Sequence, residues 1–290
     1  MARPTSPAAK TTPRSSIGEI LRGARARLAE VPFATAREAH LLLGHVLGLA
    51  EASLLARDDE PVPDTESQQF AALLERRLAG EPVAYLVGSK EFFGRSFAVD
   101  RRVLVPRPET EHLVEAAIAL VGSLPPRPRI LDLGTGSGCI AVTLALEISG
   151  SRVVATDRSP AALAVARANA HALGARVDFV GAEWAAPLRI ESFDLVVSNP
   201  PYLDPAGPVM PEVAQWEPAS ALWAGAGGLD AYRALLASLA AARPGTPLLL
   251  EIGLGQATPL SELATSTGWR VATVHRDLAG IERVVELRRA

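Results

Sequence analysis

Between Ile17 and Gly80 the apolar residues recur at helical intervals: Ile17, Ile20 and Leu21, then Ala39, Leu42, Leu43, Val46 and Leu47, then Phe70, Leu73, Leu74 and Leu78. Pro32, Pro61 and Pro63 break the pattern, and Thr35, ahead of Arg37 and Glu38, suits a helix N-cap. A small helical domain over residues 17–84 is therefore predicted. From Tyr85 the texture changes to two short aromatic and β-branched runs, Glu91-Phe-Phe-Gly-Arg-Ser-Phe-Ala-Val-Asp100 and Arg101-Arg-Val-Leu-Val-Pro106, joined around a polar turn. This predicts a β-hairpin linker over residues 85–106. Across residues 107–290 continuous apolar runs alternate with amphipathic ones, the mark of a parallel sheet covered on both faces. Strands are expected at 129–133, 152–156, 177–180, 194–198, 247–252, 269–274 and 282–287, with helices at 111–121, 140–148, 160–173 and 231–242. The last two strands are separated only by residues 275–281, too few for a parallel crossover of about a dozen residues, so they should pair antiparallel. The fold class is α/β: a Rossmann-like, doubly wound sheet ending in an antiparallel hairpin.

Composition narrows the class of protein. With 290 residues, 48% of them hydrophobic, the chain can bury a large core and is no disulfide scaffold. Its longest stretch without a charged residue, 133–146, is shorter than the about 20 apolar residues that a spanning helix needs. No membrane association is expected. A net charge of −3, with Lys10 and Lys90 the only lysines, lacks the basic excess of a duplex-coating protein. Residues 1–16 carry Arg3, Lys10 and Arg14 among Pro, Ser, Thr and Ala with no apolar segment following, and are expected to be a disordered leader. Cys139 is alone, which suits a reducing compartment, so a cytoplasmic location is expected; the chain is also expected to be a monomer. The five histidines, His40, His45, His112, His171 and His275, show no ligand-like spacing to a carboxylate pair, and no metal is expected.

Chemistry-bearing residues gather where strands end. The first strand of the sheet runs into Asp132-Leu-Gly-Thr-Gly-Ser-Gly138 and then a helix, and ligands of such sheets bind beyond the carboxyl ends of strands where strand order reverses. The spacing is G-x-G-x-G rather than the G-x-G-x-x-G of a pyrophosphate site. Read alone, the loop is either a ligand cradle or a tight strand-to-helix turn. Asp157 closes the next strand, where a carboxylate either accepts ribose hydroxyls or caps the helix before Pro160. Together, loop and acid favour an adenosyl ligand without a pyrophosphate. After Phe193-Asp-Leu-Val-Val-Ser198 comes Asn199-Pro-Pro-Tyr202: two prolines fix the backbone and remove two donors, leaving carbonyls to accept from a ligand, while Asn199 adds a side-chain donor and acceptor.

These three segments resemble the S-adenosylmethionine loop, ribose acid and N-P-P-Y motif of Rossmann-like amino-methyltransferases. Pro106-Arg-Pro-Glu-Thr-Glu111, preceded by Tyr85-Leu-Val-Gly-Ser-Lys-Glu-Phe92, makes the resemblance narrower: it is to the release factor glutamine methyltransferases of the HemK/PrmC type. It extends from about residue 82 to the C-terminus and includes Trp216-Glu-Pro218, Ala221-Leu222, Leu250-Glu-Ile-Gly253 with Gln256, and residues 277–284. The clustered Gly225-Ala-Gly-Gly228 departs from the family, which usually shows an acidic residue before the glycine. The resemblance implies a class I S-adenosyl-L-methionine-dependent methyltransferase fold. It implies cofactor contacts from Gly134, Thr135, Gly136, Ser137, Gly138, Asp157, Asn199 and Trp184, the last matching an aromatic near the adenine. It implies substrate contacts from Asn199, Pro200, Pro201 and Tyr202, with Asn199, Pro200 and Tyr202 catalytic.

The reaction so implied is methyl transfer from S-adenosyl-L-methionine, leaving S-adenosyl-L-homocysteine, to the side-chain amide nitrogen (N5) of the glutamine in the Gly-Gly-Gln loop of class I peptide chain release factors. Such a nitrogen is a poor nucleophile, so positioning must supply most of the help, and no strong base is needed because an N-methylated amide sheds a proton readily. An adenine-N6 methyltransferase acting on DNA or RNA is the alternative, since an exocyclic amine on a planar ring presents a similar shape; the charge and the lack of a basic, aromatic-studded domain count against it. A non-catalytic adaptor is a third possibility, opposed by the intact residues 199–202. Direct nucleic-acid contact is not expected, and residues 17–84 are expected to dock the substrate protein.

Overall fold

The computed structural model describes residues 14–186 and 188–290, which pack as two compact units meeting at Val87 and Gly88. The expected leader lies outside the described residues except for its last three, which belong to the first unit; Arg14 pairs with Asp64 at 3.2 Å. Ser15 accepts the Val62 N–H through its carbonyl, and Ser16 closes a capping box with Glu19 on helix α1 (Ile17–Leu28). The unit continues through α2 (Ala36–Leu47), α3 (Glu51–Ala56), α4 (Asp64–Leu78) and α5 (Val83–Val87). Thr35 occupies the N-cap position of α2 without a side-chain capping bond. The apolar stripes meet in one cluster that includes Leu21, Leu28, Leu42, Leu43, Leu54, Phe70 and Leu74. Arg77 is buried there against Glu38 at 2.7 Å, its guanidinium 5.0 Å from the Phe33 ring centre, and so ties α4 to the start of α2. Residues 85–87, expected in the linker, instead complete α5 behind Pro82.

The second unit opens with the hairpin, one run earlier than its sequence suggests. Strands β1 (Ser89–Phe92) and β2 (Arg95–Ala98) pair antiparallel with Phe92 opposite Arg95, so the turn is Phe93-Gly94. Both turn residues have positive φ, +50° and +70°, the geometry that matches strand twist in a two-residue hairpin. Residues 101–106 form no strand; Val103 and Val105 are buried as loop residues. The T-shaped pair Phe92 and Phe97, ring centres 6.0 Å apart, anchors the hairpin in the core of this unit.

The sheet contains β3 (Arg129–Leu133), β4 (Arg152–Asp157), β5 (Val177–Gly181), β6 (Leu195–Ser198), β7 (Pro247–Glu251), β8 (Trp269–Arg276) and β9 (Glu282–Arg289). Its order is β5-β4-β3-β6-β7-β9-β8, with β9 antiparallel to both neighbours and the other pairings parallel. The antiparallel ending follows from the short connection, as expected. Helices α6 (Glu111–Ala119), α7 (Cys139–Glu147) and α8 (Pro160–Leu173) cover one face, and α10 (Asp230–Ser238) and α11 (Ala257–Ser266) the other. A further short helix, α9 (Pro211–Trp216), lies in the connection after β6.

Strand residues alternate between the two layers. Ile130, Leu195, Val197, Leu249 and Val284 pack on the α6–α8 side, while Leu131, Leu133, Val196, Leu248, Leu250, Val285 and Leu287 pack on the other. Being apolar on both faces is why these strands read as continuous hydrophobic runs. The chain winds outward from β3 to β5, then returns to place β6 on the other side of β3, so strand order reverses between β3 and β6. Among the described residues no helix is long and apolar enough to cross a membrane.

Helix α7 starts against this reversal. Gly138 holds φ +83°, and a Cβ there would lie 3.0 Å from the Ala166 Cβ and 3.2 Å from its Cα on α8. Gly138→Ala is expected to cost about 1–3 kcal/mol of stability through strain and crowding, read as a lower urea midpoint with an unchanged slope.

Candidate active site

At the carboxyl end of β3 the chain turns through Gly134 and Gly136, with φ +73° and +54°. Four of the loop's amides are bonded within the protein, three of them to β4. The N–H groups of Gly134 and Thr135 both donate to the Thr156 carbonyl at 2.9 Å, that of Gly138 donates to the Thr135 carbonyl at 2.8 Å, and that of Gly136 donates to Asp157 Oδ2 at 2.9 Å. A pyrophosphate cradle needs such amides free; here they are taken, which agrees with the G-x-G-x-G spacing. The Thr135 hydroxyl donates to buried Asp132 at 2.6 Å, and the Ser137 carbonyl accepts from Asn169 Nδ2 at 2.8 Å. Thr135, Ser137 and Gly138 thus brace the loop, while Gly134 and Gly136 face a cavity.

Asp157 faces the same cavity. Its second oxygen accepts the Ser159 N–H at 2.8 Å, and the cap of α8 is Ser159, whose hydroxyl accepts the Ala162 N–H at 3.1 Å. The capping role that Asp157 could have had is therefore filled. One amide sits on each of its oxygens, and the remaining lone pairs can accept hydroxyls. Trp184 lines the cavity from the loop after β5 in a left-handed conformation, φ +51°, rare for so bulky a residue. A Cβ on Gly134 would come within 3.9 Å of the Trp184 ring.

The residues 199–202 divide between two cavities. Asn199 and Pro201 line the first, of about 320 Å³, together with the glycine loop, Asp157 and Trp184. Asn199 and Tyr202 line a second, of about 240 Å³, with Leu104, Arg107, Val209, Met210 and Leu222. Pro200 is buried and faces neither. Leu104, Asn199 and Ala221 border both cavities. The Tyr202 carbonyl, one of those left by the prolines, accepts from Gln256 Nε2 at 2.9 Å, so it serves the loop rather than a ligand. Desolvation raises the Tyr202 phenol to about 12, so it acts as a neutral ring.

Several segments without an assigned role hold this arrangement. Arg107 pairs with Glu217, whose other oxygen accepts the Val105 N–H at 3.0 Å. Thr110 is buried and accepts from Asn199 Nδ2 at 3.2 Å. Glu111 accepts the Phe93 N–H at 2.8 Å and so fastens the hairpin turn to α6. Asn169 bonds both backbone groups of Ala98 as well as the Ser137 carbonyl, linking hairpin to glycine loop. In the departing glycine cluster, a Cβ on Gly228 would strike the Tyr202 carbonyl at 2.4 Å. The close approach requires glycine there. Of these residues Arg107, Thr110 and Glu111 lie in Pro106-Arg-Pro-Glu-Thr-Glu111, Glu217 in Trp216-Glu-Pro218 and Gly228 in Gly225-Ala-Gly-Gly228; Asn169 carries no periodicity or motif of its own.

Comparison with known proteins bears on this site. Residues 19–88 match the PrmC N-terminal domain and residues 111–215 the methyltransferase small domain. The chain is 44% identical over 276 residues to a release factor glutamine methyltransferase of Cereibacter sphaeroides, covering 93% of this chain and 97% of that protein. One from Nitratidesulfovibrio vulgaris is 42% identical over 289 residues, covering 96% and 97%. The chain belongs to the release factor glutamine methyltransferase family. Among solved structures, the hMettl16 catalytic domain in complex with the MAT2A 3'UTR hairpin 6 shares the fold at 19% identity and a TM-score of 0.54, covering 78% of this chain and 82% of that one.

For this methyltransferase family the relevant donor is S-adenosylmethionine, and the first cavity fits it: a carboxylate with free lone pairs, an aromatic wall, and a loop whose Gly134, Thr135, Gly136 and Gly138 amides are already bonded. Cys139 is buried, its thiol pushed up to about 12, and is no nucleophile. Two buried acids stand out. Burial raises Asp132 and Glu251 each to about 7. An acid whose folded pKa is raised binds its proton more tightly folded than unfolded, so stability is lost as pH rises through about 7. The melting temperature is expected to climb as pH falls from about 8 to about 6, by about 2–4 °C per kcal/mol gained. Calorimetry across that range checks it; Asp132→Asn should flatten part of the slope.

Proposed function

We propose that this protein transfers a methyl group from S-adenosyl-L-methionine to the N5 side-chain nitrogen of the glutamine in the Gly-Gly-Gln loop of class I release factors, thereby tuning translation termination. The observation that carries this reading is Asn199 standing on the border of two cavities, one walled by the glycine loop and Asp157, the other by Tyr202 and apolar side chains. Family membership supports the substrate. When bound, S-adenosylmethionine supplies an electrophilic methyl on sulfur and departs as S-adenosylhomocysteine.

The chain's own contribution is orientation. A planar carboxamide entering the second cavity stacks on the Tyr202 ring, with one hydrogen on Asn199 Oδ1; the Pro200 carbonyl, buried outside both cavities, takes no part. The Asn199 acceptor turns the π face of the nitrogen toward the first cavity and stabilises the positive charge that develops on it. Such positioning can contribute up to about 7–11 kcal/mol. The nitrogen's surplus proton leaves to water. Asp157 accepts the ribose hydroxyls of the donor, with Trp184 beside its adenine. The helical unit docks the body of the release factor; the protein works as a cytoplasmic monomer, touching neither membrane nor nucleic acid.

The test is incubation of the protein with S-adenosylmethionine and unmodified release factor, followed by fragment mass spectrometry of the Gly-Gly-Gln peptide, with adenine-containing DNA and RNA as parallel substrates. One added methyl on that glutamine is expected; methyl on adenine instead would overturn the substrate. Asn199→Ala is expected to lower turnover about 10²–10³-fold while leaving cofactor affinity largely intact. Asp157→Ala is expected to weaken cofactor binding, measured by titration calorimetry, by about 1–3 kcal/mol.

A further inference from the structure

Glu251, the last residue of β7, is the buried acid that the reading above leaves without a task. It is 2% exposed, and the Tyr232 hydroxyl pins its backbone carbonyl at 2.9 Å. Ser198 pairs with Leu250 across the sheet, so Asn199 and Glu251 follow side by side at adjoining strand ends, and the Glu251 Oε2 has no hydrogen-bond partner. A buried carboxylate with a spare oxygen weakens a fold, so its presence against Asn199 calls for a reason at the site.

Hydrogen-bond polarity supplies that reason. A side-chain carboxamide has a donor end and an acceptor end of nearly equal shape, and only its neighbours decide which way it faces. An ionised carboxylate accepts and never donates. Facing Glu251, the Asn199 carboxamide must present Nδ2, and the same Nδ2 donates to Thr110 Oγ1 at 3.2 Å. Thr110 Oγ1 takes that bond as the acceptor. We infer that Glu251 and Thr110 are positioning residues that lock the Asn199 carboxamide with its oxygen toward the substrate amide. This inference rests on the function proposed above, because an oxygen there accepts an N–H of the incoming carboxamide, whereas a flipped NH₂ would set donor against donor.

The lock depends on the charge of Glu251. Protonated, it becomes a donor; it can then drive Thr110 to donate to Asn199 and turn the carboxamide round. Its carboxyl is raised to about 7, mainly by burial and then by Glu109, and is opposed by Thr110, Arg283 and Asn199. Arg283 lies on β9, next to Val284, which pairs with Glu251; Glu109 lies in the turn before α6. Tyr202, Tyr232 and the Cys139 thiol also sense the Glu251 charge and stay neutral near pH 7. Asp132 titrates in the same range on β3, so the informative quantity is the difference between wild type and variant.

The experiment compares wild type, Glu251→Gln, Thr110→Val and Thr110→Ser, each first shown to melt cooperatively. Steady-state methylation of release factor is followed between pH 6 and 8. Glu251→Gln and Thr110→Val are expected to lower kcat roughly 10- to 100-fold with KM for release factor and affinity for S-adenosylmethionine little changed. Thr110→Ser, which keeps the hydroxyl, should retain most of the activity. Wild-type kcat should fall as pH drops through about 7, and Glu251→Gln should lose that part of the profile. Wild-type kcat and pH slope in Glu251→Gln, or in Thr110→Val, would overturn the inference. If the wild type places no methyl on the glutamine, the proposed function fails by itself. The lock is then read without catalysis, from the side-chain amide ¹H–¹⁵N signals of Asn199, assigned by their loss in Asn199→Ala. Signals that move with pH near 7 in wild type and not in Glu251→Gln sustain it, and signals indifferent to pH refute it.

Discussion

The reversal of strand order between β3 and β6 is the constraint on which this molecule turns. Two adjacent parallel strands whose connections leave in opposite directions open a crevice at their carboxyl ends, and no helix can fill it. The glycine loop leaves β3 on one side of that crevice and residues 199–202 leave β6 on the other. Everything chemical follows from that adjacency. Asp157 joins from β4 and Glu251 from β7, so neighbouring strand ends each deliver one side chain to the same edge of the sheet.

Rigidity at this edge comes from polar groups bonded to one another. The glycine loop bonds to Thr156, Asp157 and Asn169; the Asn-Pro-Pro-Tyr turn is held by Gln256 and Thr110; and Arg107 with Glu217 fixes the loop that walls both cavities. Such an arrangement suits a reaction in which geometry rather than a strong base does most of the work, because a poorly nucleophilic nitrogen gains from being held still. The opposing charge is stability. Asp132 and Glu251 keep carboxyl groups in an apolar interior where desolvation lifts both to about 7.

Much of this was legible beforehand, and the reasons differ by element. Strand β3 and helix α8 have the predicted limits because each is bounded by a hard signal: a glycine turn after Leu133, and Ser159-Pro160 before a helix that Gly174 ends. The hairpin was displaced because Phe93-Gly94 carries its turn in backbone dihedrals rather than in a polar pair, and a phenylalanine in the left-handed region leaves no trace in a hydropathy pattern. Helices α9 and α11 escaped notice since one is short and the other, following the glycines 253 and 255, mixes Ser and Thr into its apolar stripe. Asp157 was ambiguous between cap and ligand, and the capping reading fell only when Ser159 was seen to cap α8.

By itself the sequence determined the layered α/β architecture, the antiparallel ending and the identity of the residues at the strand ends. These depend on local periodicity, connection length and short motifs, and all three are written in consecutive residues. Tertiary structure alone decided which side chains meet. Thr110 and Asn199 stand 89 positions apart, Val105 and Glu217 112 apart, and Ala98 and Asn169 71 apart, yet each pair is hydrogen-bonded. A contact of that kind has no sequence signature, because it is set by sheet order and helix packing, and these emerge only when every segment has buried its apolar face at once.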